Sequence, residues 1–263
     1  MMMDTVLVNI DKRGVARLTL NRPEVHNAFD DALIVNLIGK LKELDANEDV
    51  RVVILAANGK SFSAGGDLGW MQRTADYSFD ENLADARDLA DLMKTLNRLS
   101  KPTIGLIQGA AYGGGVGLTA CCDIVIACEH ARFCLSEVKL GLIASVISPY
   151  VRAAIGETHA RRYTLTAELF DAFEARRIGL VHEVVADDAL EDQAEHFVLQ
   201  LLKNSPAAMA GVKELMFSLS GRGIGDDVVE DTAVRIARIR ASAEGKEGIS
   251  AFLEKRSPSW IKD

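Results

Sequence analysis

Two glycine-bearing segments hold the residues whose types and spacing could do chemistry. Gly109-Ala110-Ala111-Tyr112-Gly113-Gly114-Gly115-Val116-Gly117-Leu118 lies between a strand-like run and a helix-like one, and Ser61-Phe62-Ser63-Ala64-Gly65-Gly66-Asp67-Leu68 follows another strand-like run. Glycine lets a ligand approach the main chain, and a helix start offers N–H groups that have no partner within the helix. Two such strand ends can set two backbone N–H groups around one oxygen. That is the geometry of an oxyanion hole, in which losing a single donor costs about 3–4 kcal/mol of transition-state stabilisation.

Other chemistries fit less well. Gly113 and Gly115 are followed by Leu118 where the third glycine of a dinucleotide fingerprint belongs, and no Gly-Lys-Ser/Thr follows for a phosphate loop. Ser61 and Ser63 do not sit in a Gly-x-Ser-x-Gly elbow. The histidines at 26, 130, 159, 182 and 196 and the cysteines at 121, 122, 128 and 134 have no metal-site spacing along the chain, so no metal is expected and the cysteines read as buried free thiols.

The elements that position these segments can be read from periodicity. Thr5 to Ile10 and Val15 to Leu20 are β-rich runs around a polar turn, and Val50 to Ala57, Pro102 to Gln108 and Ile124 to Ala127 continue the β pattern. Leu33, Ile34, Leu37, Ile38, Leu41 and Leu44 mark one amphipathic helix. Leu83, Ala86, Leu89, Ala90, Met93, Leu96 and Leu99 mark a second, and a third should open at about Gly114. This alternation predicts a layered α/β core. After about Ser145 the segments 145–156, 158–168, 171–178, 187–203 and 205–219 read as helices, with one strand around Leu180 to Val185.

The chain has 263 residues, 48% of them apolar, enough for one large core. Pro102 to Cys122 is uncharged but carries six glycines, which argues for buried structure and against a membrane span. Met1 to Ile10 shows no basic segment leading into an apolar core, so the expected location is cytoplasmic. The net charge of −8 argues against a nucleic-acid partner. Residues 232–263 stand apart, with seven Lys or Arg against four Asp or Glu.

Asn21-Arg22-Pro23 with Asn27-Ala28, Phe62 to Leu68, Lys101-Pro102-Thr103, Gly113-Gly114-Gly115, Cys122-Asp123-Ile124, Phe133-Cys134-Leu135-Ser136-Glu137 and Ala251 to Arg256 together resemble the crotonase (enoyl-CoA hydratase/isomerase) superfamily, in order along nearly the whole chain. Within it, Arg22 to Phe29, Gly141 to Ile143 with Val146 to Val151, and Ala160 to Tyr163 look most like bacterial methylglutaconyl-CoA hydratases of leucine breakdown. The resemblance implies an α/β fold, a spiral of ββα units over residues 1–200, with a helical trimerisation and CoA-contacting region over 201–263, the two forming one structural unit. It implies homotrimers or homohexamers, an acyl-CoA thioester substrate and no separate cofactor. The thioester oxygen would be held by the N–H groups of Gly66 and Gly114, with CoA contacts along the main chain near Ala28, Ala64 and Asp67. Phe252 and Lys255 would reach the CoA of a neighbouring subunit.

One position departs from the pattern. Glu137 matches the second of the two glutamates usual in family hydratases, but the place of the first is Gly117. Two reactions are open to a single carboxylate: hydration of an enoyl-CoA, for which 3-methylglutaconyl-CoA is the expected substrate, or isomerisation by carrying a proton between carbons. The subfamily-like segments favour hydration, while the residue chemistry alone is neutral. Thioester hydrolysis, decarboxylation, or acyl-CoA or RNA binding without turnover are the other readings of such a scaffold.

Overall fold

The computed structural model describes residues 4–261. Met1 to Met3 and the last two residues, which belong to the outer ends of the two segments expected from sequence, lie outside it. Nine strands run along the described chain: β1 (Val6–Ile10), β2 (Val15–Leu20), β3 (Val52–Ala57), β4 (Thr103–Ile107), β5 (Ala110–Tyr112), β6 (Ile124–Cys128), β7 (Arg132–Cys134), β8 (Phe170–Asp171) and β9 (Glu183–Val185). The helices are α1 (Asp31–Ala46), α2 (Leu68–Thr74), α3 (Phe79–Asn97), α4 (Gly114–Cys121), α5 (Ser148–Thr166), α6 (Ala172–Arg177), α7 (Leu190–Leu202), α8 (Pro206–Leu219), α9 (Asp226–Ala241) and α10 (Ala243–Glu254).

The main sheet has the order β1-β2-β3-β4-β6-β9, with β1 antiparallel to β2 and the other pairs parallel. A second, small sheet has the order β5-β7-β8 and is extended by single parallel bridges from Ser63 to Ala111 and from Phe29 to Gly66. Each turn of the chain therefore places one strand in the main sheet, a short extended piece in the second layer, and then a helix. The units β4-β5-α4 and β6-β7-α5 show the repeat most plainly. This is the ββα spiral.

Burial explains the strand sequences. β3 is covered on both faces, so it reads Val-Val-Ile-Leu-Ala without polar alternation. One face of the main sheet packs on α1 and α3 through Leu33, Leu37, Leu41, Met93 and Leu96, and the other on α7 through Ala194 and Val198. The helices open on side-chain caps: Asp30 accepts from the Leu33 N–H at 2.8 Å, and Ser78 forms a capping box with Glu81. The segments read separately as 145–156 and 158–168 are two helical stretches under the one label α5, separated at Gly156 (φ 73°, ψ 163°), where the backbone leaves the helical region. The four cysteines are buried free thiols.

The loop 22–30 locks the second layer in place. His26 and Asn27 both have positive φ, a region where asparagine is better tolerated than most residues. The fully buried Asn27 accepts from the Arg22 N–H through Oδ1 at 2.8 Å and donates through Nδ2 to the carbonyls of Asn58 and Ser61 at 2.8 and 2.9 Å. Ser63 Oγ donates back to the Asn27 carbonyl at 2.9 Å. Replacing this side chain strands several buried groups at once. Asn27→Ala is expected to lower the unfolding free energy by roughly 2–4 kcal/mol in denaturant titrations; a loss under about 0.5 kcal/mol, the level of an ordinary surface change, would contradict the locking role.

Candidate active site

Gly113, at φ 49° and ψ −115°, turns the chain from β5 into α4. An L side chain is strained in that conformation, and a Cβ there would also lie 3.2 Å from Glu137 Oε1 and 3.9 Å from Gly65 Cα. Gly65, itself at φ 90°, approaches the Tyr112 carbonyl so closely that its own Cβ would lie 3.2 Å away. The two glycine loops and the carboxylate thus meet at one point, and each expected oxyanion donor, Gly66 or Gly114, is the next residue in sequence.

Gly66 and Gly114 are both free to donate. The bridge between Phe29 and Gly66 is made by the Phe29 N–H to the Gly65 carbonyl (2.7 Å) and by the Asp67 N–H to the Phe29 carbonyl (2.8 Å), which leaves the Gly66 N–H pointing away from it. Gly114 is the first residue of α4, where no carbonyl one turn back is available. Among the described residues neither N–H has a partner. Phe29 packs against Gly114, its ring 2.9 Å from where a Cβ would sit, so only glycine fits beneath it. Above Gly66 lies α2, with Met71 and Trp70 at 3.4 and 3.6 Å from the corresponding position.

Glu137 opens a short 3-10 turn, Glu137–Leu140, directly after β7. Its Oε2 is buried and has no hydrogen-bond partner. Burial raises the carboxyl above the ordinary glutamate range, and its own backbone N–H pulls only weakly against that. A carboxylate held in this way is a strong proton acceptor aimed at the space beside Gly113.

The other residues singled out in the sequence divide into two groups. Ala28, Ala64 and Asp67 lie on the two loops that carry the site. The Ala28 carbonyl accepts from Arg22 Nη1 at 2.7 Å, and the Ala64 N–H donates to the His26 carbonyl at 2.9 Å. The Ala64 carbonyl accepts nothing among the described residues, and Ala64 is exposed. Asp67 caps α2, accepting from Gly69 and Trp70, and pairs with Arg22 at 3.1 Å. Phe252 and Lys255 are not brought to this site within the chain. They sit at the end of α10, which packs on α8 and α9, with Phe252 82% exposed.

The structure also answers what covers Gly117. A Cβ there would lie 2.3 Å from Ile147 Cγ2 and 3.1 Å from Met93 Sδ, so an apolar plug fills the place where a first glutamate would project. Ile147 and α2 were not legible as site components. Ile147 comes from the start of α5, thirty positions on from Gly117, and α2 has only seven residues. The one local signal for α2 was Asp67 in a capping position.

An α/β spiral whose glycine turns present two unpaired N–H groups beside a buried carboxylate belongs to the proteins that stabilise an oxyanion next to a proton-transfer group. A family model described as enoyl-CoA hydratase/isomerase matches residues 11–263. A crystal structure of an enoyl-CoA hydratase from Shewanella pealeana superposes with a TM-score of 0.96 at 50% identity, covering 98% of this chain and 97% of that one. The 2,3-dehydroadipyl-CoA hydratase of Escherichia coli is 30% identical over 98% of this chain and 99% of its own. The trans-2-decenoyl-[acyl-carrier-protein] isomerase of Streptococcus mutans is 31% identical over 97% of each. The chain belongs to the enoyl-CoA hydratase/isomerase family, the crotonase superfamily, and is an enzyme of that family.

The plug and the carboxylate each yield a test. Gly117→Glu is expected to lower stability by about 1–3 kcal/mol or more through overpacking, with no gain in turnover; a stable variant with raised activity would show that the plug yields. The pH dependence follows from Glu137. Its carboxyl is held more tightly protonated in the folded chain, so the ionised form weakens the fold at neutral pH, and that free energy is regained as pH falls through the raised value. Activity is expected to run the opposite way where Glu137 acts as the base, because protonation removes it. The acid limb of kcat/KM should fall above the ordinary glutamate value of about 4.3, and a limb at or below that value would remove Glu137 as the base.

Proposed function

We propose that this enzyme hydrates an α,β-unsaturated acyl-CoA, with 3-methylglutaconyl-CoA as its substrate in leucine breakdown, and that Glu137 is the only carboxylate at the reacting carbons. The observation that carries the reading is the Glu137 carboxylate, with Oε2 unpartnered and Oε1 against Gly113, next to the glycine turns that leave the Gly66 and Gly114 N–H groups free. In this mechanism the thioester oxygen accepts from both N–H groups, at the positive end of α4. The Glu137 carboxylate takes a proton from water as the hydroxyl oxygen bonds to the β-carbon. The double-bond electrons move to the thioester oxygen as an enolate, and Glu137 then delivers its proton to the α-carbon on the same face. One water is added, and the carboxylate is restored.

Ala64, through its free carbonyl, and the neighbouring main chain at Ala28 and Asp67 hold the CoA portion. Phe252 and Lys255 serve a neighbouring subunit of a trimer or hexamer, a reading supported by the exposure of Phe252 and by Lys255 having no ion pair among the described residues. Light scattering reads the assembly directly, and a monomeric mass would remove their part.

The apolar plug over Gly117 favours a second reading, since a single carboxylate suffices to move a proton between carbons. The assay separates the two. Purified enzyme should bleach the conjugated enoyl absorbance of 3-methylglutaconyl-CoA, and Glu137→Gln should reduce that rate by about 10²–10⁴-fold while acyl-CoA binding persists. No bleaching, together with conjugation of a 3-enoyl-CoA, would establish the isomerase instead.

A further inference from the structure

On the opposite side of the main sheet from α1 and α3, the parallel pairing of β6 with β9 aligns residues that are far apart in sequence. Cys128 stands opposite Val185, and the Glu129 N–H donates to the Val185 carbonyl at 3.0 Å. His130 and Asp187, each two residues beyond the end of its strand, are thereby brought together. His130 Nδ1 lies 2.5 Å from Asp187 Oδ1, and one ligand atom each from Cys128, His130 and Asp187 all fall within 4.8 Å of one another. A cavity of about 340 Å³ opens on this cluster, at the carboxyl ends of β3, β4 and β6, with Arg17, Lys60 and Gln108 also on its wall. The crevice outside the carboxyl ends of parallel strands is where open α/β sheets commonly bind ligands.

We infer that Cys128, His130 and Asp187 form a binding site for a single divalent transition ion of the zinc type, with its fourth position open to water in the cavity. The donor set decides the class of ion. A thiolate, an imidazole and a carboxylate suit borderline-soft Zn²⁺ and exclude Mg²⁺ and Ca²⁺, which take oxygen ligands. Bonds of about 2.0–2.3 Å require tetrahedral donors roughly 3.3–3.7 Å apart. Two of the three side chains, His130 and Asp187, are exposed and can adjust to that spacing. One of the two cations on the cavity wall is already compensated, because Arg17 is bound by both oxygens of Glu191 at 2.7 and 2.8 Å. Among the described residues no other site brings a thiol together with two further donors of this kind. Spacing along the chain missed the set because Asp187 is 57 residues from His130, and only the β6–β9 register joins them.

Without an ion, burial and then the Asp187 carboxylate push the Cys128 thiol up to about 11, so metal binding near pH 7.5 must release its proton. Neither Glu137 nor Gly66 nor Gly114 lines this cavity, so its occupation is separable from turnover. Chelator-treated protein titrated with Co²⁺ should take up one equivalent and develop a thiolate-to-cobalt charge-transfer band, absent in Cys128→Ser. Calorimetry with Zn²⁺ should show proton release and an affinity weakened about tenfold or more in His130→Ala and in Asp187→Asn. Both variants alter exposed side chains and should retain acyl-CoA turnover, which confirms that they fold. No thiolate band in the wild type, or Zn²⁺ affinity unchanged in both variants, would overturn the site.

Discussion

Everything at the candidate site depends on one close approach, the contact of the Gly65 and Gly113 backbones beside the Glu137 carboxylate. Gly65 stands against the Tyr112 carbonyl, and the space a Cβ would need at Gly113 is taken by Glu137 Oε1. With both glycines at positive φ, the chain reverses twice within a few residues and leaves the N–H groups of Gly66 and Gly114 without partners. Gly66 is exposed and Gly114 partly so, which leaves both donors open to a ligand, whereas a loop free to relax would turn them into bonds of its own. They persist because the surroundings leave no alternative. Asn27 ties loop 22–30 to loop 58–63, Phe29 fills the space over Gly114, and the second-layer bridges fix the register.

The same economy of space explains the unusual carboxylate. In a site with two glutamates each could share hydrogen bonds and protons with the other. Here Ile147 and Met93 take the place of the first, and Glu137 keeps a buried oxygen with no partner. Both features push toward a higher affinity for the proton: low-dielectric surroundings penalise the ion, and its own backbone N–H offsets that only in part. A base made in this way is stronger than an ordinary glutamate but works in a drier pocket. Whether water enters that pocket together with substrate is the physical distinction between hydration and isomerisation.

Much of this was legible in the chain, for reasons that differ by element. The helix periodicity at Leu33 to Leu44 became α1, because that face packs on one continuous core, and the run from Val15 to Leu20 became β2 to the residue, because it is buried almost throughout. Gly114 opened α4 as the glycine cluster indicated. What escaped was short or non-local. β5 has three residues, too few for a period, and is held by its pairing with β7, whose run from Arg132 was legible as a strand. α3 ends at Asn97, so Leu99 extended the helical pattern past the helix; it is buried beneath the following turn instead. The plug at Ile147 could not be read from any local pattern, since its meaning lies entirely in the residue it covers.

The charge distribution bears on how such a chain, at −8 overall, can hold a ligand with several phosphate charges. Arg22, the cation on the loop carrying Ala28, is spent on structure: its guanidinium is shared among the Ala28 carbonyl, Asp30 and Asp67. In the basic C-terminal segment Arg256 is bound by Glu247 and Glu254, and Arg235 by Asp231. A field reaching across a Debye length of about 8 Å would be dominated by the acidic surface. Backbone N–H groups avoid that competition because their dipoles act at contact distance and need no net charge. In the proposed reaction the anion held at Gly66 and Gly114 develops only during turnover, at a point where two donors already wait. An anion that exists beforehand must instead be met by a cation that is not committed elsewhere, and Lys255 at the end of α10 is one such group, exposed and without an ion pair among the described residues.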